Sequence, residues 1–184
     1  MLFRSWAQAQ APSQRAVLDV ADALRRDADI RDVEALPDMT EANHVIMAFE
    51  SAQSLCYEYR EHRAALSARL VEALEIGMNT GYAAYVEAQH DAARARDAMR
   101  SVMAEHDVLI TPSAPGEAPV GLDATGDPVF NRLWTMLGVP AVTIPVASGP
   151  NGMPIGVQLI GAWDRDRELL AVARMIEARV RAGR

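Results

Sequence analysis

Four histidines, one cysteine and a serine in a proline-flanked loop are the side chains here most able to bind a metal or attack a carbonyl. His44, His62, His90 and His106 include no pair four residues apart, the spacing that brings two imidazoles to one helical face around zinc. They are therefore expected on helix surfaces or ends, with no metal site. Cys56 lies in the apolar stretch SAQSLCYEY with no basic neighbour to favour a thiolate, so it is read as a buried, inert thiol. Ser113, in TPSAPG, follows an expected strand, a place where nucleophiles occur. Yet the Gly-x-Ser-x-Gly elbow is missing, and the flanking prolines more simply make a turn. The glycines of GVPAVTIP and GMPIG lack the strand, GxGxxG, helix order of a phosphate-binding loop. DRDRE, from Asp164, reads as a solvated helix start whose acids suit the helix dipole. These residues alone supply no nucleophile–base pair, no metal site and no cofactor site.

One absence is chemically sharper. The 184-residue chain contains no lysine; all 18 of its basic side chains are arginine. Arginine stays protonated in proteins, so a Lys base, a Schiff base or a P-loop Lys cannot come from this sequence. A net charge of −7 argues against nucleic-acid or anionic-membrane partners, which call for a basic face. No apolar run nears the roughly 18 residues of a membrane span. The start, MLFRSWAQAQAPSQ, lacks the pattern of a signal peptide. A single cysteine fits a reducing cytoplasm.

The elements that must carry these residues fall into two halves. Val17, Val20, Ala21 and Leu24 recur at helical spacing, with Ser13 as the expected N-cap. DIRDVEAL, with Ile30 and Val33, is read as a short strand. Pro37 breaks the chain, and Asp38 with Glu41 offers a capping box. ANHVIMAFESAQSLCYEY predicts one long helix. SARLVEALEIG predicts another, stopped at Gly77, and the longest runs from an Asn79 cap to His106. The character changes at Asp107. DVLITP is a strand and SAPGEAPVGLDATG a loop. Asp127 with Pro128 starts a helix over VFNRLWTML that stops at Gly138. PAVTIP and MPIGVQLIG are strands joined by a GPNG turn. An amphipathic helix closes the chain, with Leu169, Leu170, Ala173 and Ile176 on one side. Gln158, on an apolar strand, is expected to be a hydrogen-bonded core amide. The fold class is α/β: a helical stretch over 1–105, then strands of a mixed sheet with flanking helices over 106–184, together forming a single partial domain.

The second half resembles the C-terminal part of the amidase-signature enzymes. HDVLITPSAPGEAP resembles their strand and Thr-Pro loop. TGDPVFNRLWTMLGVPAVTIP resembles their Gly-Asp-Pro helix and Gly-x-Pro-Ala strand. GPNGMPIGVQLIG resembles their hairpin, and DRDRELLAVARMIE their closing helix. The match is specific from about His106 to Trp163, looser over MAFESAQSL and the long helices, and weak before Pro37.

The resemblance implies a sheet sandwiched by helices and a Ser–Ser–Lys amide hydrolase with a Gly/Ser-rich oxyanion hole. In the family those residues precede everything matched here, so no catalytic position carries over, and the start at Met1 is read as a truncation within a strand. What the resemblance leaves is one wall of a substrate pocket. Asp127, Asn131 and Trp134, at spacings of four and three, are expected to share a helical face turned to a small amide. Helix capping by Asp127 and core packing by Trp134 are the simpler alternatives. The implied partners are the missing catalytic half or a second copy of the chain, because an incomplete sheet leaves open edges. A non-catalytic assembly module, or a piece of the amidase subunit of a tRNA-dependent amidotransferase, are the competing functions.

Overall fold

The first α-helix carries a proline in its first turn and no capping side chain. In the computed structural model, which describes residues 4–33, 36–122 and 124–182, α1 spans Ala11–Leu24 with Pro12 in its first turn. Gln10 occupies the N-cap without a side-chain bond, and Ser13 is buried inside the helix and does not cap it. Residues 30–33 form no strand. Ile30 and Val33 lie three apart, so a strand would point them to opposite faces. The rest of that expected strand, Glu34 and Ala35, lies outside the described residues.

Two compact units emerge: the described residues of Met1–Leu36 with Ala98–Arg184, and Pro37–Asp97. The change of character at Asp107 therefore falls inside the first unit.

The Pro37–Asp97 unit is helical. It holds α2 (Thr40–Ser54), α3 (Cys56–Glu61), α4 (Ala68–Asn79) and most of α5 (Tyr82–Glu105). Asp38 Oδ1 accepts from Thr40 N at 3.0 Å, which fixes the start of α2. The expected long helix breaks at Leu55, where ψ moves to 19°. The break leaves Cys56 exposed instead of buried. Gly77 does not stop α4. It sits where α2 and α4 touch: a Cβ there would lie 1.9 Å from the Ala48 carbonyl oxygen and 2.8 Å from Ala52 Cβ. The helix continues to Asn79, whose Nδ2 donates to the Glu75 carbonyl at 2.9 Å, so Asn79 closes α4 and does not cap α5.

The other unit is built on three strands, β1 (Leu109–Pro112), β2 (Ala141–Ser148) and β3 (Pro154–Ile160), in the order β1-β3-β2 with both pairings antiparallel. Among the described residues the outer edges of β1 and β2 have no strand partner. Pro145 lies on the β2 edge beside a bulge, where its missing N–H breaks no ladder. The β2–β3 turn is longer than two residues: Ser148 pairs with Pro154, Gly149 N bonds Met153 O at 2.8 Å, and Gly152 N bonds Gly149 O at 3.0 Å.

Alternation splits β3 between two faces. Ile155, Val157 and Leu159 join Ile144 and Val146 of β2 against Val17 and Val20 of α1 and Leu169, Ala173 and Ile176 of α7 (Asp166–Ala182). Each buried Val, Leu or Ile among them stabilises by about 1.5–3 kcal/mol. Leu170 is about half exposed (53%), since it follows Leu169 by roughly 100° around the helix. The opposite face of β3 carries Gly156 and Gln158.

Candidate functional site

Gln158 is the polar residue at the centre of the sheet. Its strand register sets it between Thr111 of β1 and Thr143 of β2. This row crosses the face turned away from α1 and α7. Gln158 is buried, and its amide is held from both sides as expected: Nε2 donates to Asn131 Oδ1 at 2.9 Å, and Oε1 lies 3.5 Å from Thr111 Oγ1, which donates more closely to the Pro112 carbonyl at 3.0 Å.

Asn131 is the hinge of this network. Its Nδ2 donates to the Ser113 carbonyl at 3.1 Å, so one carboxamide ties the loop after β1 to the middle strand. Ser113 Oγ donates in turn to the Gly156 carbonyl at 3.0 Å. A Cβ on Gly156 would lie 2.7 Å from Ser113 Oγ and 2.5 Å from Thr143 Cγ2, so the missing side chain makes room for the serine. The hydroxyl is thereby committed to the turn.

The other two expected site residues differ from Asn131 in burial: Asp127 is exposed and Trp134 buried. Helix α6 spans Arg132–Leu137, so it starts five residues after Asp127. Asp127 Oδ1 accepts from Val129 N at 3.0 Å and lies 3.3 Å from Arg132. Asn131 N bonds the Pro128 carbonyl at 2.8 Å, closing a turn ahead of the helix. Asp127 thus caps a turn at the exposed end, and the helical spacing of four does not relate it to Asn131. Trp134 lies within α6 and is buried. Gly138 ends the helix as expected, with φ +73° and its N–H on the Trp134 carbonyl at 3.0 Å. Trp163 Nε1 secures the same end through the Leu137 carbonyl at 3.0 Å, while the Arg100 guanidinium stands 5.3 Å from the Trp163 ring.

The network consists of hydroxyls, two carboxamides and backbone groups. Groups of these types can hydrogen-bond an amide; none is a proton acceptor near neutral pH. Sequence reading missed Thr111 and the Ser113 carbonyl. Thr111 sits in an apolar run, and only the strand register reveals that it faces Gln158. Among the described residues no group of three or more His, Cys, Asp or Glu is placed to hold a metal, and no helix is long and apolar enough to cross a membrane.

Comparison with known proteins places the fold. Residues 2–170 match the family model described as Amidase. The chain is 29% identical, over 199 aligned positions, to a glutamyl-tRNA(Gln) amidotransferase subunit of Chlorobium chlorochromatii (strain CaD3), covering 89% of this chain and 42% of that protein. It is 40% identical over 83 residues to the corresponding mitochondrial glutamyl-tRNA(Gln) amidotransferase subunit of Homo sapiens, covering 40% of this chain and 16% of that protein. A solved structure described as an amidase superposes with a TM-score of 0.86 at 25% identity, over 95% of this chain and 43% of the other. 6-aminohexanoate cyclic dimer hydrolase, complexed with substrate, shares the fold at a TM-score of 0.76 and 20% identity, over 95% and 42%. The chain thus spans well under half the length of these relatives.

Proposed function

Because the chain belongs to the amidase family, we propose that it forms one wall of a carboxamide-binding pocket in an amide-hydrolysing enzyme whose nucleophile and base lie on residues beyond this sequence. The observation that carries the reading is the Asn131 carboxamide. It lies at the turn before α6, half-buried, bonded to both Gln158 and the Ser113 carbonyl. A carboxamide held on two sides is a preorganised partner for a substrate amide. Trp134 would pack behind it, and Asp127 would orient the turn from the solvent side.

Catalysis would come from elsewhere. The resemblance calls for a Lys base, and this sequence has no lysine. The implied partner is a catalytic segment that covers the open edges of β1 and β2, with a second copy of the chain as the substitute when that segment is absent. The reading places the protein in the cytoplasm, away from membranes and nucleic acid.

The test is hydrolysis of simple aliphatic and aryl amides by the purified chain, alone and joined to the catalytic segment of an amidase relative. No turnover alone, and turnover when joined, is expected. Turnover by the chain alone would overturn the reading.

A second reading is favoured by the names of the curated relatives: the chain as part of the amidase subunit of a tRNA-dependent amidotransferase. Its net charge of −7 gives no overall attraction for tRNA, so tRNA contact would fall to another subunit. Glutamine hydrolysis that rises on adding charged tRNA and the partner subunits, but not with simple amides, would select this reading.

A further inference from the structure

Glu117 lies in the loop after β1 and makes more specific contacts than a surface carboxylate needs. Its Oε1 accepts from Asn151 N at 3.0 Å and Met153 N at 2.9 Å, and its Oε2 accepts from Asn151 Nδ2 at 2.7 Å. Three donors at the tip of the β2–β3 hairpin therefore converge on one carboxylate. Charge-assisted bonds of this kind are the strong class. The hairpin is also shaped for the guest. A Cβ on Gly149 would lie 2.4 Å from Glu117 Cδ. Gly149 is not among the positive-φ residues, so its missing side chain answers to the space the carboxylate occupies, not to the backbone. The loop is seated on its other side as well. Gln10 N donates to the Pro115 carbonyl at 2.6 Å, and a Cβ on Gly116 would lie 2.1 Å from Gln10 Oε1. Immediately beyond Glu117 this order ends. Residues 118–122 are exposed, and Val120 and Leu122 are wholly so, on either side of Gly121 at φ +92°.

We propose that Glu117 is an intramolecular latch: its carboxylate, closed on the hairpin tip, holds residues 115–117 in place, and its release lets that stretch move together with the already exposed residues 118–122. The latch stands independently of the pocket reading, since it involves neither Asn131 nor a substrate. Two variants open it by different means. Glu117→Gln removes the charge, and Gly149→Ala keeps the charge but fills its seat.

The measurement is limited proteolysis with thermolysin, which cuts before large apolar residues. Cutting before Val120 also engages residues 116 and 117, which the closed latch holds, so its rate tracks the open population. Cleavage before Val120 or Leu122 is expected to rise at least about tenfold in both variants, equivalent to about 1.4 kcal/mol, with cleavage elsewhere unchanged. An unchanged rate, or a rise shared equally by sites in α5 and α7, would overturn the latch. Should neither variant fold, hydrogen exchange of the native chain decides. Slow exchange at Asn151 and Met153 N–H supports the closed carboxylate, and free-peptide rates there refute it.

Discussion

Gln158 reaches from the middle strand to Asn131, 2.9 Å away at the turn before α6, and so couples the centre of the sheet to the loop that follows β1. Each carboxamide is the other's partner. Removing one leaves a buried polar atom without its bond, and removing both does not. Asn131→Ala is therefore expected to lower stability by about 1–3 kcal/mol, and the double variant Asn131→Ala, Gln158→Leu to recover part of that loss. Urea unfolding of the two variants gives the comparison. A double variant no more stable than Asn131→Ala would show that the pair is not coupled.

Gly77 supplies a steric prediction in the helical unit. A methyl group there would meet the Ala48 backbone at 1.9 Å, and backbone yields less than a side-chain tip. Gly77→Ala should cost about 1–3 kcal/mol by overpacking. Gly81, with nothing within 4 Å of its would-be Cβ and its carbonyl on Tyr85 N, precedes α5 as a cap. Gly81→Ser should change stability by less than about 1 kcal/mol. Thermal melts of the two single variants would expose an error if Gly77→Ala melted like the native chain.

Cys56 is exposed at the first position of α3, so thiol chemistry should find it in the folded state. One equivalent of a disulfide-exchange reagent is expected to react without denaturant. Labelling that waits for unfolding would place the thiol back in the interior.

Tyr85 should titrate above the ordinary tyrosine value of 10.0, because its hydroxyl donates to the Glu50 carboxylate at 2.9 Å and so favours the protonated form. The folded-state pKa is the higher one. The stabilisation is thus fully present below the unfolded value and is lost as pH rises through the folded value. Absorbance titration at alkaline pH should show a late-ionising tyrosine that Glu50→Gln returns toward its neighbours. A titration indifferent to Glu50→Gln would disprove the link.

The strands were the readable part of the fold. Proline brackets and short apolar runs mark β1, β2 and β3 locally, and Gly138 marks the end of α6 because a left-handed cap favours glycine. Gln158 was legible as a core amide, since a lone polar residue in an apolar strand needs a partner. Its partner was not legible: Asn131 is 27 residues away, and only pairing register and the turn before α6 bring them together. Gly77 shows the converse limit. A glycine that ends a helix and one that admits a neighbouring helix have the same local sequence, and only α2 across the interface tells them apart. The Asp127 spacing misled for a related reason. Asp-Pro starts a turn as readily as a helix, and here the turn won.

The order β1-β3-β2 has a consequence for how the chain is made. The strand completed last in the sequence is the one in the middle, so β1 and β2 emerge with nothing to hold them together until residues 154–160 follow. Helix α1, more than a hundred positions earlier, must also wait for that strand to offer Val157 and Leu159. During synthesis from the N-terminus, the helical Pro37–Asp97 stretch can settle on its own contacts first. The sheet then closes in one late step from distant pieces, with the long loops that slow folding.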